Sequence, residues 1–314
     1  MICNMWIRFK FGLLCMVMHV GLVSQNDCDL SPVEKTLDSL SFRMVEEGRA
    51  NADDISTIHR ELAKASACID FFTYPFEGVR AMSIADDTVG GIRIFTSMVN
   101  DPEVEGADFY GGLYLRDESK WMSFESLDYL NIKSFARDMS TDKDWYGSIY
   151  YGVHPFKHED RWHWVVFGYA PLDRFTGVKF LDILTYENER LLFGKPLFVN
   201  EDTGQRFNRV IFTYAAEAPM TLNYDSQEKK IVFDHLMPMK SLYQEGEITM
   251  VPDGSYSAYE WTGNYWRYID MLEMIIPEET PRSQPILDKR KNRDIFGRST
   301  IKTNGDKPSK KNNK

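Results

Sequence analysis

The stretch from Arg209 to Leu236 carries the clearest alternation in the chain. Val210, Phe212 and Tyr214 alternate with Ile211 and Thr213, and after a short break Met220, Leu222 and Tyr224 alternate with Thr221 and Asn223. A polar turn from Asp225 to Lys230 then leads into Ile231-Val232-Phe233-Asp234-His235-Leu236. A period of two residues with a charged reversal predicts an antiparallel meander. The same grammar runs from Ile69 to about Met271. Phe71, Phe72, Tyr74 and Phe76 open it as an aromatic-rich strand region, and Met82 to Ile84 and Ile92 to Phe95 flank a hairpin turn from Asp86 to Gly91. Further strands are expected at Tyr110 to Leu115, Tyr146 to Val153, His163 to Tyr169, Val178 to Tyr186 and Pro196 to Val199, with one short helix between Ser126 and Phe135.

Before Ile69 the period is helical. Ser31-Pro32-Val33-Glu34 has the form of a capping box with proline at the first helical position, which predicts a helix from about Pro32 to Glu47. A turn from Gly48 to Asp53 precedes a second helix to about Ala67, with Ile55, Ile58, Leu62 and Ala65 on one side. Two antiparallel helices of similar length return the chain to its start and bring Cys28 beside Cys68, so a disulfide is expected between them.

Two internal echoes bear on the architecture. Asp108-Phe109-Tyr110-Gly111-Gly112-Leu113-Tyr114 recurs 36 residues later as Asp144-Trp145-Tyr146-Gly147-Ser148-Ile149-Tyr150. Val165 to Tyr169 recurs 45 residues later as Val210 to Tyr214. Such offsets in a β-rich region suit propeller blades, or one strand type used twice in a sandwich. The expected fold is therefore mainly β, an antiparallel meander in a propeller-like or sandwich arrangement, preceded by a helical hairpin.

Charge and targeting signals divide the chain further. Arg8 and Lys10 precede an apolar run of 13 residues from Phe11 to Val23, followed by polar Ser24 to Asp27, the form of a secretory signal over residues 1–24. An exported protein is expected, secreted or retained in the periplasm or cell envelope, where a disulfide persists. The hairpin then occupies 25–68, the β-domain 69–273 and a basic, disordered tail 274–314. Residues 25–281 hold 24 Lys and Arg against 44 Asp and Glu, a balance that repels phosphate backbones and excludes nucleic acid as a partner of this part. The tail from Arg282, with 11 basic residues against 3 acidic, suits contact with anionic surfaces.

Catalytic signatures are scarce. The sequence has no Gly-x-Ser-x-Gly elbow, no His-Glu-x-x-His and no phosphate loop. His154, His158 and His163 cluster near a turn at Glu159-Asp160, but that turn sets His163 opposite Phe156, so the imidazoles do not converge and no metal site or cofactor is expected. Asp234 and His235 are consecutive strand residues on opposite faces and cannot form a dyad with each other. The aromatic run ending in Trp261, Tyr265 and Trp266, around a tight hairpin at Trp261 to Tyr265, is the candidate binding surface for a protein or a glycan.

Over roughly Ile69 to Trp266 the chain resembles a family of exported proteins of unassigned function found mostly in Bacteroidetes. The resemblance rests on Trp145-Tyr146-Gly147 with Tyr150-Tyr151, on Phe193-Gly194 with Pro196 and Phe198, and on Arg209 to Phe212 with Tyr214. It continues through Met220, Leu222 and Tyr224, then Ile231 to Leu236, and Pro252-Asp253 with Ser255-Tyr256; Phe233-Asp234-His235-Leu236 is its most specific part. Family members tend to have Gly-Trp-Asp where this chain has Gly168-Tyr169-Ala170, and Gly-Pro-Asp where it has Val251-Pro252-Asp253. The resemblance implies export and a β-rich fold and transfers no catalytic residue. The functional expectation is a non-enzymatic binding or structural component of the envelope, with a glycan hydrolase using paired carboxylates as the alternative.

Overall fold

A computed structural model of the chain describes residues 28–100, 106–125, 138–241, 243 and 246–272. The expected signal segment over 1–24, the expected short helix between Ser126 and Phe135 and the expected disordered tail over 274–314 lie outside the described residues.

The helical hairpin forms as its periodicity requires. Helix α1 spans Ser31–Glu47 and α2 spans Ala52–Ala65. Gly48 ends α1 in the left-handed region at φ 62°, and the Asn51 side chain caps α2 by accepting from the amides of Asp53 and Asp54. The expected capping box is not made. Asp29 accepts the Ser31 amide at 2.9 Å, which frees Glu34 to accept from the Tyr74 hydroxyl and the Gly78 amide, both at 2.7 Å. A carboxylate that fits a local cap is thus used to fasten the hairpin to the chain that follows. Cys28 and Cys68 form the disulfide, with Cα atoms 5.8 Å apart. The aromatic stretch after it is a 3-10 turn, Ile69–Phe72, and not a strand, because buried Arg93 binds the carbonyls of Phe71 and Phe72 at 2.8 and 3.1 Å and holds them in a turn.

Sixteen strands follow among the described residues. In order they are β1 (Ser83–Asp87), β2 (Ile92–Val99), β3 (Asp108–Leu115), β4 (Lys120–Phe124), β5 (Ser140–Thr141), β6 (Ile149–His158), β7 (Arg161–Pro171) and β8 (Thr176–Glu187). Then come β9 (Arg190–Phe193), β10 (Phe198–Asn200), β11 (Gln205–Phe207), β12 (Arg209–Ala215), β13 (Leu222–Asp225), β14 (Lys230–Lys240), β15 (Ile248–Trp261) and β16 (Trp266–Ile269). They make three sheets: β1-β2-β3-β4, a central sheet β5-β9-β8-β7-β6 with β12 added beside β8, and a third sheet β11-β10-β16-β15-β14-β13. All strand pairs are antiparallel except β10 with β16.

Side-chain parity stacks these layers. On the first sheet Phe95, Val99, Tyr110 and Tyr114 face Leu37, Met44, Ile58 and Leu62 of the helices, while Ile92, Ile94 and Leu113 face Trp164, Val166 and Phe180 of the central sheet. The other face of the central sheet, with Val165, Phe167, Leu181 and Ile183, packs on Leu222, Ile231, Phe233, Tyr259 and Trp266 of the third. With neighbours on both faces, β7 buries every residue from His163 to Gly168, which is why that segment reads as an apolar run more than as a clean alternation. Gly168 sits in this layer because a Cβ there would meet the Phe180 ring at 2.0 Å.

Stacked sheets account for the echoes. The 45-residue echo is one strand type used twice, since β7 and β12 both pair with β8. The 36-residue echo is not a blade repeat, because its second copy is irregular from Asp144 to Ser148 and joins β6 only at Ile149. The meander read across Arg209 to Leu236 is likewise divided. β12 closes onto the central sheet, and the chain crosses over before β13 and β14 pair within the third.

Candidate binding site

The aromatic hairpin forms, but its rings turn inward. Trp261 pairs with Trp266 and Tyr259 with Tyr268 across a four-residue loop in which Thr262 and Tyr265 exchange hydrogen bonds. Directly opposed residues share a face, and here that face is the one packed on the central sheet. Trp266 is 1% exposed and lies 5.6 Å, ring to ring, from Phe156. Trp261 is half-buried at 4.6 Å from the same ring. Tyr265 stays half-exposed, donates to the Glu201 carboxylate and lies 5.7 Å from the Arg206 guanidinium. Of the three rings singled out from the sequence, Trp266 thus belongs to the core, and the three do not line a common open face.

An opening exists elsewhere, at the free end of the seam between the central and third sheets. A slot of about 350 Å³ is lined by Val210, Ile211, Phe212 and Thr213 of β12, Phe233 to Leu236 of β14, and Met250, Tyr259 and Tyr268. Its rings form a chain of contacts: Phe212 to Phe233 at 4.7 Å, Phe233 to Tyr259 at 5.7 Å and Tyr259 to Tyr268 at 5.6 Å. The stretch from Phe233 to Leu236 is one wall of this slot.

That stretch departs from regular pairing. The register of β14 against β15 shifts between Asp234 and Leu236, so His235 has no partner across the ladder. Asp234 turns inward, accepts the Thr221 amide at 2.6 Å and returns its own amide to the Thr221 carbonyl, which fixes the start of β13. His235 places Nδ1 2.8 Å from Asp253 Oδ2. Asp253 also accepts from the Ser255 hydroxyl at 2.6 Å and its amide at 2.9 Å. Those two bonds, and then His235, hold the Asp253 carboxyl down at about 2. An ionised carboxylate only accepts, so Nδ1 carries the hydrogen and Nε2 of the neutral ring is left as an acceptor. The Ser255 hydroxyl is given to Asp253 and not to the imidazole, so the three groups are an orienting cluster and not a nucleophile with its base.

His163 and His154 are locked into structure. His163 lies opposite Phe156, in the register that the turn implies. Its Nε2 is 2.9 Å from Lys195 Nζ and its Nδ1 3.1 Å from the Arg161 carbonyl, an arrangement that requires a neutral ring; burial holds it at about 4. His154 stacks on Tyr224 at 3.4 Å. Among the described residues no group of three His, Cys, Asp or Glu side chains is disposed to hold a metal ion.

Sequence reasoning missed one charged pair. Asp182 and Arg209 are directly opposed on β8 and β12, joined at 2.7 Å, and 0% and 1% exposed. Arg209 also donates to the Asp138 carbonyl at 2.6 Å and Ser140 Oγ at 3.0 Å, and the Tyr146 hydroxyl donates to Asp182 at 2.7 Å. Burial pushes the Asp182 carboxyl up against the pull of Arg209. The guanidinium, which burial disfavours, is nonetheless raised by the same aspartate and so remains charged. The available signal was Asp182 itself, a lone acid inside Phe180-Leu181-Asp182-Ile183-Leu184.

Comparison of the chain with protein-family models, with curated proteins and with solved structures finds no match.

Proposed function

We propose that this is an exported, non-enzymatic binding component of the cell envelope that holds its partner in the slot between the second and third sheets. The observation that carries the reading is the slot itself. Val210, Phe212, Leu236 and Tyr268 are only partly covered here, over a floor of buried Phe233 and Tyr259 and beside an imidazole whose tautomer Asp253 fixes. Few well-placed polar groups around an apolar floor are the usual makings of a recognition site. The cystine between Cys28 and Cys68 supports export, because such bonds persist in oxidising compartments.

Affinity capture from envelope extract tests the reading, comparing the full chain with Met250→Trp, which fills the slot. The native chain is expected to retain a specific protein or glycan that the filled variant loses. Retention of the same material by Met250→Trp, with loss on Trp261→Ala, would move the site to the aromatic hairpin.

A further inference from the structure

We infer that the slot takes an extended, basic peptide, which inserts an apolar side chain between the two sheets and sets flanking Lys or Arg side chains against carboxylates at the rim. This rests on the reading of the slot as a binding site and adds the chemistry of the ligand.

Charge complementarity is the first argument. Among the described residues the lining includes Asp234 and no Lys or Arg. Asp253 joins His235 at one side, and exposed Asp270 accepts from the lining Tyr268 hydroxyl at 3.0 Å. Lys179, paired with Phe212 across the ladder, is committed to the Met220 carbonyl at 2.7 Å. Around these groups residues 25–281 hold 24 Lys and Arg against 44 Asp and Glu, so the field at the slot attracts cations.

The second argument is the backbone. β12 pairs with β8 alone among the described strands. From Leu236 to Lys240, β14 pairs with β15 alone among the described strands. Strand edges of this kind present main-chain N–H and C=O groups that another extended chain satisfies better than a lipid or a sugar does. Pro238 removes a donor from the β14 edge, which favours β12 as the receiving strand. A strand added there alternates its side chains, one set beside Val210 and Phe212 into the slot and the next beside Ile211 and Thr213.

Fluorescence anisotropy with labelled peptides and the full chain tests this. Lys-Leu-Lys-Phe-Lys is expected to bind at least about tenfold more tightly than Glu-Leu-Glu-Phe-Glu or Lys-Ser-Lys-Ser-Lys, and to weaken with added salt and with Asp270→Asn. Met250→Trp should abolish binding, as should Val210→Trp at a partly exposed lining position whose side chain faces the slot, which guards against misfolding of the first variant. Equal binding of the acidic peptide, lost in both filled variants, would overturn the basic ligand and leave the slot standing. Undiminished binding of the basic peptide to both filled variants would overturn the slot as well. Failure of all three peptides to bind would overturn the peptide inference, while envelope capture still reads the slot.

Discussion

At the scale of single residues the most exacting interactions are the buried charges. Arg209 and Asp182 exchange a charge-assisted bond in a layer covered on both faces, and both terminal nitrogens of the guanidinium donate to an oxygen. Removing one partner leaves the other ionised without compensation, so Asp182→Ala is expected to cost about 3–5 kcal/mol in denaturant unfolding. The double replacement Asp182→Leu with Arg209→Met should be nearer to the native stability than either single change. A double variant no better than the singles would show that the pair is not the dominant contribution. The histidines make a pH prediction. His59, His154 and His163 are each held at about 4 by burial, against an ordinary 6.5. Between those values the unfolded chain binds protons that the folded chain does not, so stability must fall as pH drops from about 6.5 to about 4. Fully buried His163 alone accounts for roughly 3 kcal/mol if its shift is fully realised. Urea midpoints measured near pH 7 and near pH 4.5 read this directly, and equal midpoints would contradict it.

At the scale of elements the helical hairpin and its staple stand as one unit. The disulfide closes a separation of 40 residues, for which loop entropy gives about 4 kcal/mol. Replacing Cys28 and Cys68 together by serine should lower stability by about that amount, as measured by thermal unfolding with and without reductant. A reductant effect that persists in the double variant would point to another cause. In the aromatic hairpin, Trp266→Ala should cost about 3–5 kcal/mol because the ring is enclosed, and Trp261→Ala distinctly less because its ring is half-buried. Much of this level was legible in advance. Helical spacing placed α1 and α2, turn residues placed the β1–β2 hairpin, and a turn at Glu159-Asp160 fixed Phe156 opposite His163. What local pattern could not supply was the partner of each strand. β12 and β13 are neighbours in sequence with matching alternation, yet they pair into different sheets, a choice made by Asp182 and the rest of β8. Likewise Glu34 fits a capping box locally and is drawn to Tyr74, 40 residues away.

At the scale of the whole molecule, three stacked sheets with a helical hairpin outside the first explain both the core and the opening in it. Each internal layer has apolar side chains on both faces, so strands such as β2 and β7 lose their alternation, and the inward or outward direction of a ring could not be read from its position alone. That is why Trp261, Tyr265 and Trp266 stood out as a surface while Phe212 and Phe233, on the strands with the clearest alternation, passed for ordinary core. The seam between the central and third sheets stays open along β12, opposite the stretch of β14 whose register shifts between Asp234 and Leu236. The measurement that tests this most directly is hydrogen–deuterium exchange of the full chain with and without saturating Lys-Leu-Lys-Phe-Lys. Protection confined to residues 210–213 and 233–236 is the expected result. Protection at residues 201–206 and 261–265 instead would place recognition on the aromatic hairpin and contradict the slot.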